Sequence, residues 1–91
     1  MPVVQFPPNV EAKLTREHDV TFTVLIDGIE LGATISEEAL HDIARVPSGD
    51  KPDLVELFNK HRATIERVGQ RILPSLHAHG QVLLLKTSYF P

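Results

Sequence analysis

Hydrophobic and polar positions alternate most regularly between Val20 and Ile35, in the stretch VTFTVLIDGIELGATI. Val20, Phe22, Val24 and Ile26 occupy every second position, the side-chain period of a strand. After Asp27-Gly28 the alternation resumes with Ile29, Leu31, Ala33 and Ile35. An Asp-Gly pair between such runs predicts a two-residue type I′ hairpin, because both central positions of that turn need positive φ. The turn fixes a register that sets Ile26 opposite Ile29, Val24 opposite Leu31, Phe22 opposite Ala33 and Val20 opposite Ile35. These apolar side chains then share one face, and Thr21, Thr23, Leu25, Glu30, Gly32 and Thr34 share the other. A lone hairpin is marginal in water. Its apolar face therefore requires cover, which helices must supply.

Two helical patterns follow. Ser36 reads as an N-cap, with Glu37 and Glu38 in the first turn at the positive end of the helix dipole. Ala39, Leu40, Ile43 and Ala44 form a narrow apolar stripe, and Val46-Pro47-Ser48-Gly49 stops the helix. A longer helix is predicted from Asp53, which with Glu56 resembles a capping box. Its stripe is Leu54, Leu57, Phe58, His61, Ile65, Val68, Ile72 and Leu76, and Pro74 predicts an end or a kink. The run Val82-Leu83-Leu84-Leu85 does not alternate and reads as a strand buried on both faces, central in the sheet. Val3 to Phe6 offers a further short strand before Pro7-Pro8-Asn9.

The pattern as a whole predicts one α+β domain over residues 1–91. Its small antiparallel sheet consists of the hairpin plus N- and C-terminal strands. Two helices pack on one face, in the order β-β-β-α-α-β.

The segments VTFTVLIDG, ISEEAL, HRATIE and GQVLLLKTSYF, together with Phe6-Pro7, resemble the DUF1488 family of small bacterial proteins, a domain of unknown function. The resemblance covers nearly the whole chain, and its motifs are a turn, a cap and apolar stripes. It implies a single small α+β domain and brings no activity, cofactor or site residue with it.

Composition narrows the function classes. Cysteine is absent, so disulfides, thiol chemistry and cysteine-type zinc sites are excluded. Met1 to Gln5 lacks the basic start and apolar stretch of a signal peptide, and no apolar run approaches a membrane span. A cytoplasmic protein is the expectation. The formal charge of −3 argues against nucleic acid, although five histidines add positive charge in acid.

Candidate chemistry is sparse. His77 and His79 have ligand-like spacing, but no third ligand is marked, with His18, His41 and His61 the available partners. No metal is expected. His61, on the apolar stripe, reads either as a base near Glu66 or Asp42 or as a half-buried structural histidine. Lys60, Arg67 and Arg71 recur at intervals of seven and four, giving a helix face that reads as an anion-binding stripe or as a solvated surface. Arg62 and Glu66 stand at salt-bridge spacing. Gly28, Gly32, Gly49, Gly69 and Gly80 are scattered and form no phosphate cradle, so no cofactor is expected.

Two function classes remain. One is a non-enzymatic interaction domain, self-associating as a homodimer through the sheet face opposite the helices or through a strand edge. Thr23, Leu25, Leu83 and Leu85 are its candidate surface residues. Its counterpart, a monomer, would fold Val10, Ala12 and Leu14 over that face. The other class is a nucleic-acid-binding regulator using Lys60, Arg67 and Arg71.

Overall fold

The computed structural model describes residues 3–7, 11–47 and 49–90. Val10 therefore lies outside the described residues. In chain order the elements are β1 (Val4–Gln5), β2 (Lys13–Leu14), β3 (Val20–Ile26), β4 (Ile29–Ile35), α1 (Glu37–Ala44), α2 (Leu54–Lys60), α3 (Arg62–Ala78) and β5 (Leu84–Leu85). A short 3-10 turn, Thr87–Tyr89, follows. The class is α+β, as the pattern predicts.

Asp27 and Gly28 have φ of 52° and 81°, the positive values a type I′ turn demands. The turn delivers the predicted register without a bulge, from Ile26↔Ile29 to Val20↔Ile35. Burial follows parity: along β3 the residues Val20, Phe22, Val24 and Ile26 are buried, and those between them are half-exposed. On β4 only Ala33 and Ile35 are buried; Leu31 is partly covered and Ile29 is 57% exposed. The inward face is thus covered along the whole of β3, but on β4 only at the base of the hairpin.

Both N-terminal strands lie in the plane of the sheet. β1 pairs antiparallel with the tip end of β3 (Val4↔Ile26), and β2 with its base (Leu14↔Val20). The two divide one edge of β3 between them. Ala12 joins the core, Leu14 is exposed, and no described residue of this segment is packed across the back of the sheet as a lid. On the other side, β5 pairs with β4 in parallel, Thr34↔Leu84 and Ile35↔Leu85.

Four expectations are corrected. First, the sheet is mixed, because the three helices form a crossover from the end of β4 to the start of β5 and return the chain in the same direction. Second, β5 is an edge strand; Leu83 and Leu85 are buried, Leu84 is half-buried and Val82 is 80% exposed. Third, the long helix is broken at His61, whose φ of −109° and ψ of 20° leave the helical region. Asp53 caps α2 by accepting from the Val55 and Glu56 amides at 3.0 and 3.2 Å. Fourth, α3 runs through Pro74 to Ala78. Proline removes one amide donor, but the Gln70 residue left with the orphan carbonyl is exposed to water, and buried Leu73 and Leu76 hold both sides of Pro74 on the core.

One hydrophobic cluster connects these elements, running from Val20, Val24 and Ile35 through Leu40 and Phe58 to Ile65, Leu73 and Leu85. Phe6 stacks on Phe22 with ring centroids 6.5 Å apart, and Phe22 meets Phe58 at 4.9 Å. This aromatic row needs a helix that lets β1 approach. Gly69 provides it, since a Cβ there would lie 2.9 Å from Phe6 Cζ and 3.3 Å from Leu73 Cδ1. Replacing Gly69 by leucine should displace Phe6 and lower unfolding stability by about 1–3 kcal/mol. The same replacement at exposed Gln70 should leave it nearly unchanged. Urea denaturation of both variants checks this, and an equal response at the two positions would show that Phe6 is not held against Gly69.

Candidate functional site

Among the described residues, the outer edge of β4 is only partly paired. In the β3–β4 ladder, hydrogen-bonded and non-hydrogen-bonded pairs alternate, so the backbone groups of every second β4 residue point away from β3. Two outward amides locate them: Thr34 donates to the Leu83 carbonyl at 2.8 Å, and Ser36 donates to the Leu85 carbonyl at 3.2 Å. Parity makes Glu30 and Gly32 the other outward positions. Among the described residues β5 reaches only Thr34 and Ile35, so no strand pairs with the outer edge of β4 between Ile29 and Ala33.

The face behind the helices adjoins this edge. Thr23 and Leu25 lie on it, half-exposed, with Gln5 opposite Leu25 and Gly32 opposite Thr23. Thr21 also lies there, its hydroxyl donating to the Ala33 carbonyl at 3.0 Å. Leu84 extends the face onto β5, because it pairs with Thr34. Leu83 and Leu85 do not belong to it. Leu85 pairs with Ile35 and is 0% exposed, and Leu83, at 9%, is also part of the core. A continuous apolar run gives no parity of its own, which is why sequence reasoning placed them on the wrong side. Sequence reasoning also missed Ile29 as a surface residue, since alternation alone marks it as inward.

The basic residues are divided between two helices. Lys60 ends α2, whereas Arg67 and Arg71 belong to α3, so the seven-residue interval spans the break at His61. Arg71 donates to the Tyr89 carbonyl at 3.1 Å, tying the C-terminal turn to the helix. Arg62 is the most engaged of the cations. It contacts Glu66 at 2.7 Å, donates to the Pro7 carbonyl at 3.0 Å, and lies 5.9 Å from the centre of the Phe58 ring. The Arg62–Glu66 pair matches its sequence spacing.

His77 and His79 are separated by the helix geometry. His77 lies in the last turn of α3, and His79 is its C-cap. Positions two apart on a helix do not face each other, and Nδ1 of His79 is 2.7 Å from the Ser75 carbonyl oxygen. His61 is half-buried at the helix break, while its expected neighbour Glu66 is taken by Arg62. An open cleft at the base of the hairpin is lined by Glu17, Asp19, Glu37, Glu38, Asp50 and Asp53 together with His18, His41 and Lys51. Several of its groups have structural partners: Asp19 accepts from the Glu37 amide, Ser36 from Ala39, and Asp53 caps α2.

The division into core side and back face makes a paired prediction. Leu25→Glu should keep a folded chain within about 1 kcal/mol of the parent, since its side chain already meets water. Leu85→Glu buries an unpaired carboxylate among apolar groups and should abolish cooperative unfolding. Thermal melts followed by circular dichroism distinguish them, and similar melts for the two variants would contradict the assigned parity.

No curated protein and no solved structure matches the chain. The family described as a protein of unknown function, DUF1488, matches residues 4–84, which takes in every strand and helix from β1 to the start of β5. The matched segment carries the hairpin, its open edge and the three covering helices, and on that extent the chain belongs to the DUF1488 family.

Proposed function

We propose that the chain is a non-enzymatic interaction domain, set in the cytoplasm, that takes an extended polypeptide segment onto the outer edge of β4. The observation that carries this reading is the outward pair Glu30 and Gly32, whose backbone groups lie on a strand edge left free by β5. A free edge is a template for a further strand, with backbone bonds supplying affinity and alternate side chains supplying selectivity. Ile29 beside it adds an exposed apolar anchor. Of the residues that the sequence marks for chemistry, Arg62, Glu66, Arg71 and His79 are engaged in bonds within the chain, which favours binding over catalysis. The cytoplasmic setting is supported by the absence of cysteine. The nucleic-acid reading has less support, because the helix break separates Lys60 from Arg67 and Arg71 is bonded to Tyr89.

A photo-reactive amino acid placed at position 29 should form adducts with a polypeptide in cells, and one at exposed position 70 should not. Gly32→Pro should abolish the adducts. Proline at 32 removes only an outward amide that the β3–β4 ladder does not use. Adducts that persist in Gly32→Pro, or that form equally at position 70, would overturn the reading.

A further inference from the structure

Gly32 lies in the middle of β4, where glycine weakens a strand. Three internal reasons for it are missing. The register runs through it without a bulge, its φ is not in the positive range, and a Cβ built on it meets nothing within 4 Å among the described residues. Its own chain does not require the position to be bare. A glycine inside a strand also marks close approach by another backbone, and Gly32 is one of the two outward residues of the free edge.

The free segment, Ile29 to Ala33, has a property that specifies the approaching chain: it is complementary to itself. We infer that β4 pairs antiparallel with β4 of a second copy, about a two-fold axis at Leu31. The inference rests on the edge-binding reading above. Outward residues must meet outward residues, so only a few registers are available. An axis at Glu30 sets two carboxylates directly opposite each other, which is unfavourable. Centring the pair on Gly32 would require Thr34, whose amide is already bonded to Leu83. The axis at Leu31 avoids both faults. It pairs Glu30 with Gly32 of the other copy, twice, forming about four backbone hydrogen bonds.

Side chains agree with this register. On the back face each Glu30 lies directly across from a glycine, and the two Glu30 carboxylates are diagonal neighbours rather than directly opposed. Towards the helices Leu31 meets its own copy in a non-hydrogen-bonded pair, where side chains approach closest. Ile29, 57% exposed in one chain, lies opposite Ala33 and next to Leu31 of the other. The paired length is also bounded on both sides: β5 takes the edge from Thr34 onward, and the Asp27-Gly28 turn ends the strand before Ile29.

Sedimentation over a range of concentrations tests the inference with four forms of the full chain. The unaltered protein should have the mass of two chains, and Gly32→Pro that of one. Gly32→Glu places a carboxylate opposite Glu30 and should weaken assembly about tenfold or more, while Gly32→Lys should retain or tighten it. A Cβ at position 32 meets nothing within 4 Å among the described residues, and circular dichroism should show an unchanged fold for each variant. A single-chain mass for the unaltered protein at millimolar concentration overturns the second-copy inference, and position-29 adducts with some other polypeptide would then still uphold the edge reading. A dimer indifferent to Gly32→Pro overturns the β4 pairing, and position-29 adducts that persist in Gly32→Pro overturn the edge reading with it. A dimer broken by Gly32→Pro but equally affected by Gly32→Glu and Gly32→Lys overturns the Leu31 axis alone.

Discussion

The Asp27-Gly28 turn sets the parity of β3 and β4, and every other placement in the molecule follows from that parity. A turn one residue longer would exchange the two faces of one strand. Either Val20 and Val24 on β3 or Ala33 and Ile35 on β4 would then leave the cluster that also includes Leu40, Ile65 and Leu73. The helices have no alternative surface of comparable apolar area to cover. The register is thus a local backbone decision with consequences for the whole core.

What the sequence makes legible is what short-range chemistry determines. The register, the Ser36 and Asp53 caps, and the Arg62–Glu66 pair depend on residues close in the chain, and each is found as its spacing indicates. The corrected features depend on distant partners. Continuity of the apolar stripe gives no sign of the break at His61, whose backbone leaves the helical region between buried Phe58 and Ile65. Pro74 stays within α3 because the burial of Leu73 and Leu76 outweighs one lost backbone bond. The direction of β5 depends on where three helices return the chain, and its local run of leucines is equally compatible with either direction.

The candidate site was half legible for the same reason. Leu25 follows from hairpin parity, and it is found on the back face. Leu83 and Leu85 have no such constraint, because their faces are set by pairing with β4 across the crossover. Nor does the sequence say how long that pairing is. Had β5 extended alongside Leu31 and Ile29, the edge of β4 would have been closed within one chain. The shortness of the β5 ladder creates the open segment.

The two edges of the hairpin are treated differently, and the contrast bears on function. β1 and β2 divide the outer edge of β3, and Val3 adds a bond from the Asp27 amide to its own carbonyl at 3.0 Å. Edge strands are commonly blunted by lysine, proline, a bulge or a covering segment. Between Ile29 and Ala33, β4 has neither lysine nor proline nor bulge, and none of the described residues pairs with its outer edge. Its one charge, Glu30, is offset by the bare position at Gly32 in a pairing centred on Leu31. A chain that closes one edge with two strands and leaves the other flat, apolar at Ile29 and Leu31, and self-complementary has the features expected of an edge used for binding.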